Sequence, residues 1–261
     1  MSLDAVKGIL VTYWPMFLRG AGITLYISIL GTIIGSIIGL AIGVVRTIPM
    51  PERGPKRLLL KIINGLLAGY IEFFRGTPMM VQSMFIFYGV AGVFGVQLNR
   101  LFAAIFIVSI NTGAYMAEIV RGGIVSIDPG QYEAAEALGM NHYQTMINVM
   151  LPQVIRNILP ATGNEFVVNI KDTSVLNVIS VTELFFNTRS IAGTTFKFAE
   201  TYFITCIIYF IMTFTITRIL RSFERRLDGP KNYNIIGNQM QVERPEDIVR
   251  KTGDHWQGKK D

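Results

Sequence analysis

Apolar runs about as long as a lipid bilayer is thick constrain this chain more than any other feature. About 20 mostly apolar residues, each rising ~1.5 Å, carry an α-helix across a hydrocarbon core of ~30 Å. The sequence offers such runs at residues 23–45, 77–95, 101–120, 161–184 (the weakest) and 201–220. We therefore expect an all-α membrane protein with about five transmembrane helices.

The charged residues support lipid as the solvent. Only 16% of the residues are charged while 51% are hydrophobic, whereas about 25% of a soluble domain is charged. The net charge of +6 could suggest nucleic acid, but Lys and Arg lie between the apolar runs rather than on one face of a soluble domain. This spacing is typical of positive-inside topology and argues against a nucleic-acid partner.

The same charges predict an orientation in the membrane. Basic residues follow the first run at 46–61 and the last run at 218–226, so both places should be cytoplasmic, with the N-terminus outside and the C-terminus inside. Residues 58–70 are interrupted by Lys61 and followed by Glu72 and Arg75, and we expect a helix on the cytoplasmic surface there. The predicted organisation is an extracytoplasmic segment at 1–16, a multi-pass membrane domain at 17–228 and a polar cytoplasmic tail at 229–261.

A glycine stripe marks the first run. Gly31, Gly35, Gly39 and Gly43 recur every four residues, which places them on one helix face and lets another helix approach closely. The stripe can serve packing within the protomer or a face between two subunits.

The polar segment between the third and fourth runs predicts a helix-turn-helix in the cytoplasm. Asp128 is a good N-cap and Pro129 suits the first helical position. Gly139 supplies a left-handed stop, Asn141 caps a second helix, and Pro152 is expected to end it.

This segment is similar to the EAA signature of permeases in importers of the ATP-binding-cassette type. The signature residues are Glu133, Ala134, Ala135, Gly139, Val149 (in place of the usual Ile), Leu151 and Pro152. Flanking strings resemble the polar-amino-acid branch of that family, which takes up glutamine, arginine, histidine or cystine. These strings are Phe74-Arg75-Gly76-Thr77-Pro78, Ala117 to Ile124, Gly163-Asn164-Glu165-Phe166 and Lys171-Asp172-Thr173-Ser174.

The resemblance implies a prokaryotic plasma (inner) membrane as the location, and it implies several partners. It implies two cytoplasmic ATPase subunits that grip the loop at about 128–152, an extracytoplasmic solute-binding protein, and a permease dimer that is either a homodimer or a heterodimer with a homologue. The predicted outer loops, 96–100 and 185–198, are short, which agrees with delivery of the solute by another protein. ATP with magnesium is expected on the partner ATPase, because the sequence contains no Gly-x-x-x-x-Gly-Lys-Ser/Thr phosphate loop.

No catalytic or metal-binding residues are expected on this chain. Its single cysteine, Cys206, cannot form an intrachain disulfide or a cysteine-built metal site. The two histidines, His142 and His255, have no partner ligands at metal spacing. We expect a transporter subunit rather than an enzyme.

Two polar stripes are candidates for the substrate pathway. Charged groups within a span cost at least ~2.5 kcal/mol, so they usually face a cavity or a partner. The i, i+4, i+7 spacing places each of two sets on one helix face: Asn111, Tyr115 and Glu118, and Glu165, Asn169 and Asp172. Glu118 and Lys171 could instead be interfacial or ion-paired, and Glu165 could lie near the ATPase contact.

The sequence thus predicts alternating-access import of a polar amino acid. The two acids of the second stripe favour a cationic amino acid, and glutamine or cystine would fit almost as well. A channel subunit or an intramembrane enzyme is the alternative. Neither of these alternatives needs a partner ATPase.

Overall fold

The computed structural model describes residues 2–227, with side chains described through residue 224. This part of the chain is helical and contains no strand. The predicted tail at 229–261 lies outside it, as does His255. The elements are α1 Leu3–Val45, α2 Pro55–Gly76, α3 Met79–Phe94, α4 Arg100–Val125, α5 Pro129–Ala137, α6 His142–Thr145, a π-helical turn Met146–Met150, α7 Leu151–Asp172, a 3-10 helix Thr173–Ile179, α8 Leu184–Thr195 and α9 Phe198–Leu227.

The expected all-α membrane fold is confirmed, and the spans are less uniform than predicted. In the described part, three helices are long and apolar enough to cross a membrane, namely α1, α4 and α9. Helices α2 and α3 pass the same test only together, as a pair bent by 112°. The surface helix expected at 58–70 is therefore part of a longer helix, α2, with a single buried residue, Ile71.

The predicted fourth span is wrong in its bounds. The helix in this region begins at Leu151 rather than near residue 161, and its α-helical part ends at Asp172 instead of residue 184. Beyond it, Thr173 donates to the carbonyl of Ile170 at 3.0 Å and Asn177 to that of Ser174 at 2.7 Å. Such side-chain bonds to the preceding turn compete with the α-helical pattern, and the chain continues as a 3-10 helix.

Helix α1 starts far earlier than the predicted span. It begins at Leu3, so the segment expected at 1–16 is helical almost throughout. Ile9 and Phe17 pack with Leu184 and Ile191 of α8 and Ile204 of α9. Contacts with these two helices explain why α1 extends well beyond the length that a bilayer requires.

The glycine stripe of α1 packs against α4 within the same chain. A Cβ atom on Gly35 would lie 2.9 Å from the carbonyl oxygen of Ser109, and one on Gly39 would lie 2.7 Å from the carbonyl carbon of Met116. These neighbours are backbone atoms and cannot move aside. Only glycine lets the two helices approach this closely, so the stripe serves packing within the protomer.

Candidate functional site

The loop between α4 and α7 has the helix-turn-helix form that the sequence predicts. Asp128 accepts a hydrogen bond from the Gly130 amide at 2.8 Å and so caps α5. At the other end Gly139 has φ of +77°, the Gly139 amide donates to Glu136 at 2.8 Å, and the Met140 amide donates to Ala135 at 3.1 Å. These are the two bonds of a Schellman stop.

Helix α6 follows directly. The Asn141 side chain accepts from the Gln144 amide at 3.0 Å, while the Gln144 side chain accepts from the Asn141 amide at 2.9 Å, which completes a capping box. The Tyr132 hydroxyl and His142 Nδ1 lie 2.9 Å apart and join α5 to α6. The two short helices therefore form one unit.

Pro152 does not end the second helix of the loop, contrary to the sequence prediction. The chain passes from α6 through the π-helical turn into α7, and Pro152 lies in the first turn of α7. The Leu151 amide donates to Met146, five residues back. A wider π turn leaves amide positions without the usual partner, and proline, which has no amide hydrogen, is tolerated there. The loop is thus continuous with α7.

The EAA residues divide between an exposed surface and an anchor. Ala135 is buried against its own protein, whereas Glu133, Ala134 and Gly139 are exposed. Leu138 is 81% exposed and Tyr143 is 72% exposed, which are large values for apolar side chains at the end of a membrane protein. Such exposure marks a surface for a protein partner.

Toward the membrane the loop is anchored in an apolar cluster. Met146 and Met150 pack with Val154 of α7 and with Met116 and Val120 of α4. Leu151 packs against the same cluster, Val149 is half-buried, and Pro152 is exposed. A force on the exposed surface of the loop would therefore be transmitted to α4 and α7 together.

Asn169 lies in the packing core rather than on an open face. It is 5% exposed, and its amide nitrogen donates to the Thr32 hydroxyl at 2.8 Å and to the Thr112 hydroxyl at 3.0 Å. These bonds tie α7 to α1 and α4 and use both hydrogens of the amide group. In the stripe of Glu165, Asn169 and Asp172, only the side chains of Glu165 and Asp172 are not buried.

Asn111 supports the bend between α2 and α3. Its amide nitrogen donates to Gln82 Oε1 at 3.0 Å, and the Gln82 nitrogen donates to the carbonyls of Phe74 at 3.0 Å and Thr77 at 2.9 Å. Gln82 is 3% exposed. The pair satisfies backbone carbonyls that the break in the helix leaves without helical partners, as irregular backbone at membrane depth requires.

Arg75, which the sequence interpretation did not assign to the pathway, lies in the last turn of α2 beside this bend. Its guanidinium group lies 5.4 Å from the centroid of the Tyr115 ring, a cation–π contact. The Glu165 carboxylate interacts electrostatically with both Arg75 and Asp172. We name Arg75, Glu165 and Asp172 the charged cluster.

The charged cluster combines one cation with two acids, and Lys171, the residue before Asp172, also interacts electrostatically with Asp172. Glu165 is half-buried, and Arg75 and Asp172 are exposed. Within the described part of the chain, none of the three forms a salt bridge. Groups of both signs that lie near each other without pairing can bind a ligand that carries both charges.

Glu118 lies in the C-terminal third of α4 and is ion-paired. One carboxylate oxygen bonds to Arg46 and the other to Arg121 at 2.9 Å. This arrangement joins the end of α1 to α4, as the ion-paired interpretation of Glu118 predicts. Tyr115, one turn nearer the membrane centre, contacts Arg75 and so remains beside the charged cluster.

The described residues contain no group of three or more His, Cys, Asp or Glu side chains placed to hold a metal ion. Cys206 is a free, exposed thiol on α9. The candidate site therefore consists of the exposed loop on one side of the membrane domain and the charged cluster within it.

Comparison with known proteins places these features in a family context. Residues 54–229 match the family model described as binding-protein-dependent transport system inner membrane component. The glutamine transport system permease protein GlnP of Escherichia coli (strain K12) is 38% identical over 214 residues, which cover 82% of this chain and 93% of that protein. The L-cystine transport system permease protein TcyB of Bacillus subtilis (strain 168) is 34% identical, with coverages of 83% and 88%.

A solved structure shows the same architecture. The crystal structure of an amino acid ABC transporter with histidines contains a chain that is 39% identical to this one, with a TM-score of 0.73. The match covers 87% of this chain and all of that one.

Proposed function

The chain belongs to the family of binding-protein-dependent transport system inner membrane components, and on that premise we propose that it carries polar amino acids into the cell as the permease subunit of an ATP-binding-cassette importer. Relatives named for glutamine and cystine transport support the substrate class. The observation that carries the proposal is the charged cluster, whose charges of both signs form no salt bridge among the described residues and lie beside a broken helix.

The charged cluster suits the chemistry of a free amino acid. Arg75 would contact the α-carboxylate, because a guanidinium group bonds a carboxylate through two parallel N–H donors. Glu165 and Asp172 would accept the ammonium group or a cationic side chain. The two acids favour arginine or histidine over glutamine, because they can accept hydrogen bonds from a cationic side chain as well as from the ammonium group.

We propose that ATP hydrolysis takes place on partner chains. Two ATP-binding-cassette subunits would bind ATP with magnesium and grip the exposed surface around Leu138 and Tyr143. ATP-driven closure of these subunits would move the loop, and the cluster around Met146 and Met150 would transmit the movement to α4 and α7. The rest of the proposed complex is a second permease subunit, identical or homologous, and an extracytoplasmic solute-binding protein.

The proposed orientation has the N-terminus outside and the loop at 128–152 in the cytoplasm. A Cys206→Ser background allows single cysteines at Ser190, an exposed residue of α8, and at Tyr143, an exposed residue of the loop. An impermeant thiol reagent applied to intact cells should label Ser190→Cys and not Tyr143→Cys. Labelling of Tyr143→Cys in intact cells would reverse the orientation.

Reconstitution tests the function itself. The permease is co-expressed with its neighbouring ATPase and second permease genes, purified, and placed in proteoliposomes with the solute-binding protein. We expect ATP-dependent uptake of a labelled cationic amino acid or glutamine, and none when the binding protein or ATP is omitted. Uptake without ATP would instead indicate a channel, and failure of any ATPase to co-purify would contradict the importer assignment.

A further inference from the structure

Helices α7 and α9 line a groove of about 340 Å³ that does not include the residues of the charged cluster. The residues that line this groove, called here the basic groove, are Val167, Lys171, Phe210, Thr213, Phe214, Thr217, Arg218 and Arg221. Three of them are cations, and no acidic side chain among residues 2–224 lines it. The remaining lining residues are two phenylalanines, a valine and two threonines.

The basic groove lies on the side of α7 away from the charged cluster. Val167 and Lys171 are four residues apart and share one face of α7, while Glu165, two positions before Val167, points about 200° away from it around the helix. The groove and the charged cluster therefore do not share a face. A substrate that crosses beside Glu165 would not pass through the groove.

Helix α9 presents the groove to the outside of the protomer. Only 17% of its apolar window is buried within the protein. Phe210 is 65% exposed and Phe214 is 48% exposed. In the single protomer these rings are as open to the surroundings as side chains that face lipid tails would be.

An anionic occupant would complement the three cations of the groove. Cationic side chains on a membrane helix cost at least ~2.5 kcal/mol each near the bilayer centre unless an anion or water accompanies them. The Arg218 guanidinium lies 4.9 Å from the centroid of the Phe214 ring, which holds it at the edge of the apolar surface. A phosphate group offers oxygens that match the planar donors of arginine.

We propose that the basic groove binds the headgroup of an anionic phospholipid. The phosphate would contact Arg218 and Arg221 of α9, and Lys171 would add positive charge from the opposite wall. An acyl chain would lie along Phe210 and Phe214. Basic pockets between membrane helices on the cytoplasmic side have the chemistry of such lipid sites, and both arginines fall in the inner half of α9 in the proposed orientation.

The volume and composition of the groove favour a lipid over another protein. About 340 Å³ accommodates a phosphate headgroup and not a folded segment. The combination of exposed phenylalanines and clustered cations matches a molecule with an apolar tail and an anionic head.

Native mass spectrometry of the purified transporter complex tests the proposal. The complex is incubated with an equal mixture of phosphatidylglycerol and phosphatidylcholine, and the lipids that remain bound are counted. The test variant is Arg218→Gln with Arg221→Gln. The matched control is Lys56→Gln with Lys61→Gln, which removes two charges from exposed positions of α2, a helix that does not line the groove.

We expect the wild type and the control to retain phosphatidylglycerol in preference to phosphatidylcholine, and the test variant to bind it about tenfold more weakly or worse. Arg221→Lys, which keeps the charge, should retain most of the binding. Added phosphatidylglycerol should raise the thermal unfolding midpoint of the wild type and not that of the test variant.

Equal retention in the wild type and the test variant would overturn the proposal. Equal losses in the test and control variants would also overturn it, because they would reveal only a general attraction of basic residues for anionic lipid. Unchanged lipid retention together with loss of the permease dimer in the test variant would assign the groove to the contact between protomers.

Discussion

The seam between α1 and α4 and the charged cluster meet on one helix, α7, and are built in opposite ways. In the seam, glycines remove side chains so that backbones touch, and Asn169 binds its polar neighbours Thr32 and Thr112. In the charged cluster, Arg75, Glu165 and Asp172 keep open side chains without a salt bridge among the described residues.

This difference separates two reasons for a polar residue in a membrane helix. A buried amide whose hydrogens are both bonded holds helices together, whereas a neighbouring acid without a close partner is available to a ligand. Sequence spacing alone assigns Asn169 and Asp172 to the same stripe. Their surroundings differ, because Asn169 is buried and bonded between helices whereas Asp172 is exposed.

The largest expected effect comes from filling the seam. In Gly39→Ala the new methyl group would meet backbone atoms of Met116 at 2.7 Å and of Ala117 at 2.8 Å. We expect a loss of about 1–3 kcal/mol or more in the free energy of unfolding, because the backbone must shift. Thermal unfolding of the purified complex measures it.

The matched control is Gly69→Ala in the interior of α2, where nothing lies within 4 Å of the new methyl group. Alanine is favoured over glycine in a helix by about 0.5–1 kcal/mol, so this variant should be as stable as the wild type or more so. Equal destabilisation by both substitutions would show that the seam is not close-packed.

The second prediction tests whether Asn169 belongs to the seam. Asn169→Ala leaves the Thr32 and Thr112 hydroxyls without their partner, and we expect a loss of about 1–3 kcal/mol in stability. The half-saturating amino acid concentration for uptake should stay close to that of the wild type. Asn164→Ala, an exposed change on the same helix, should leave stability unaltered, whereas a rise in half-saturation with normal stability would return Asn169 to the pathway.

The third prediction concerns an exposed position with a structural requirement. Gly139 has φ of +77°, and a β-branched residue there costs about 1–2 kcal/mol or more. Gly139→Val should turn α6 away from its position and reduce co-purification of the ATPase, with the spans still inserted.

Asparagine tolerates the left-handed conformation, so Gly139→Asn should retain the ATPase. If the valine variant binds its ATPase and transports normally, the loop is not the coupling element.

The smallest effect is expected at Glu118. Glu118→Gln removes its ion pairs with Arg46 and Arg121, and partly exposed pairs contribute about 0–1 kcal/mol. The loss of stability should be smaller than in Asn169→Ala, and the half-saturating amino acid concentration for uptake should not change. Glu72→Gln, an exposed change on α2, is the control. A rise in half-saturation at Glu118→Gln would place this residue in the pathway.

Local signals in the sequence predicted the loop well. The caps Asp128 and Asn141 and the left-handed stop at Gly139 act within four residues, so a pattern of residue types is sufficient to find them. The apolar runs likewise predicted α1, α4 and α9, because lipid imposes the composition of each helix separately.

Contacts between residues far apart in the chain could not be predicted from the sequence. Arg75 lies beside the 112° bend between α2 and α3 and interacts electrostatically with Glu165 on α7, a pairing that spacing along the chain does not reveal. The π-helical turn before Pro152 contains Met146 and Met150, and both of these residues pack against α4. Periodicity predicts a face of a helix and cannot state which neighbour covers it.

Uptake into proteoliposomes with saturating binding protein tests most directly whether the charged cluster binds the substrate. Asp172→Asn and Glu165→Gln should each raise the half-saturating concentration of a cationic amino acid about tenfold or more, equivalent to a charge-assisted contact of ~1.5–3 kcal/mol. The rise for glutamine should be smaller. Arg75→Gln should raise both, with thermal unfolding midpoints close to that of the wild type. An unchanged half-saturating concentration in all three variants would show that the charged cluster does not bind the substrate.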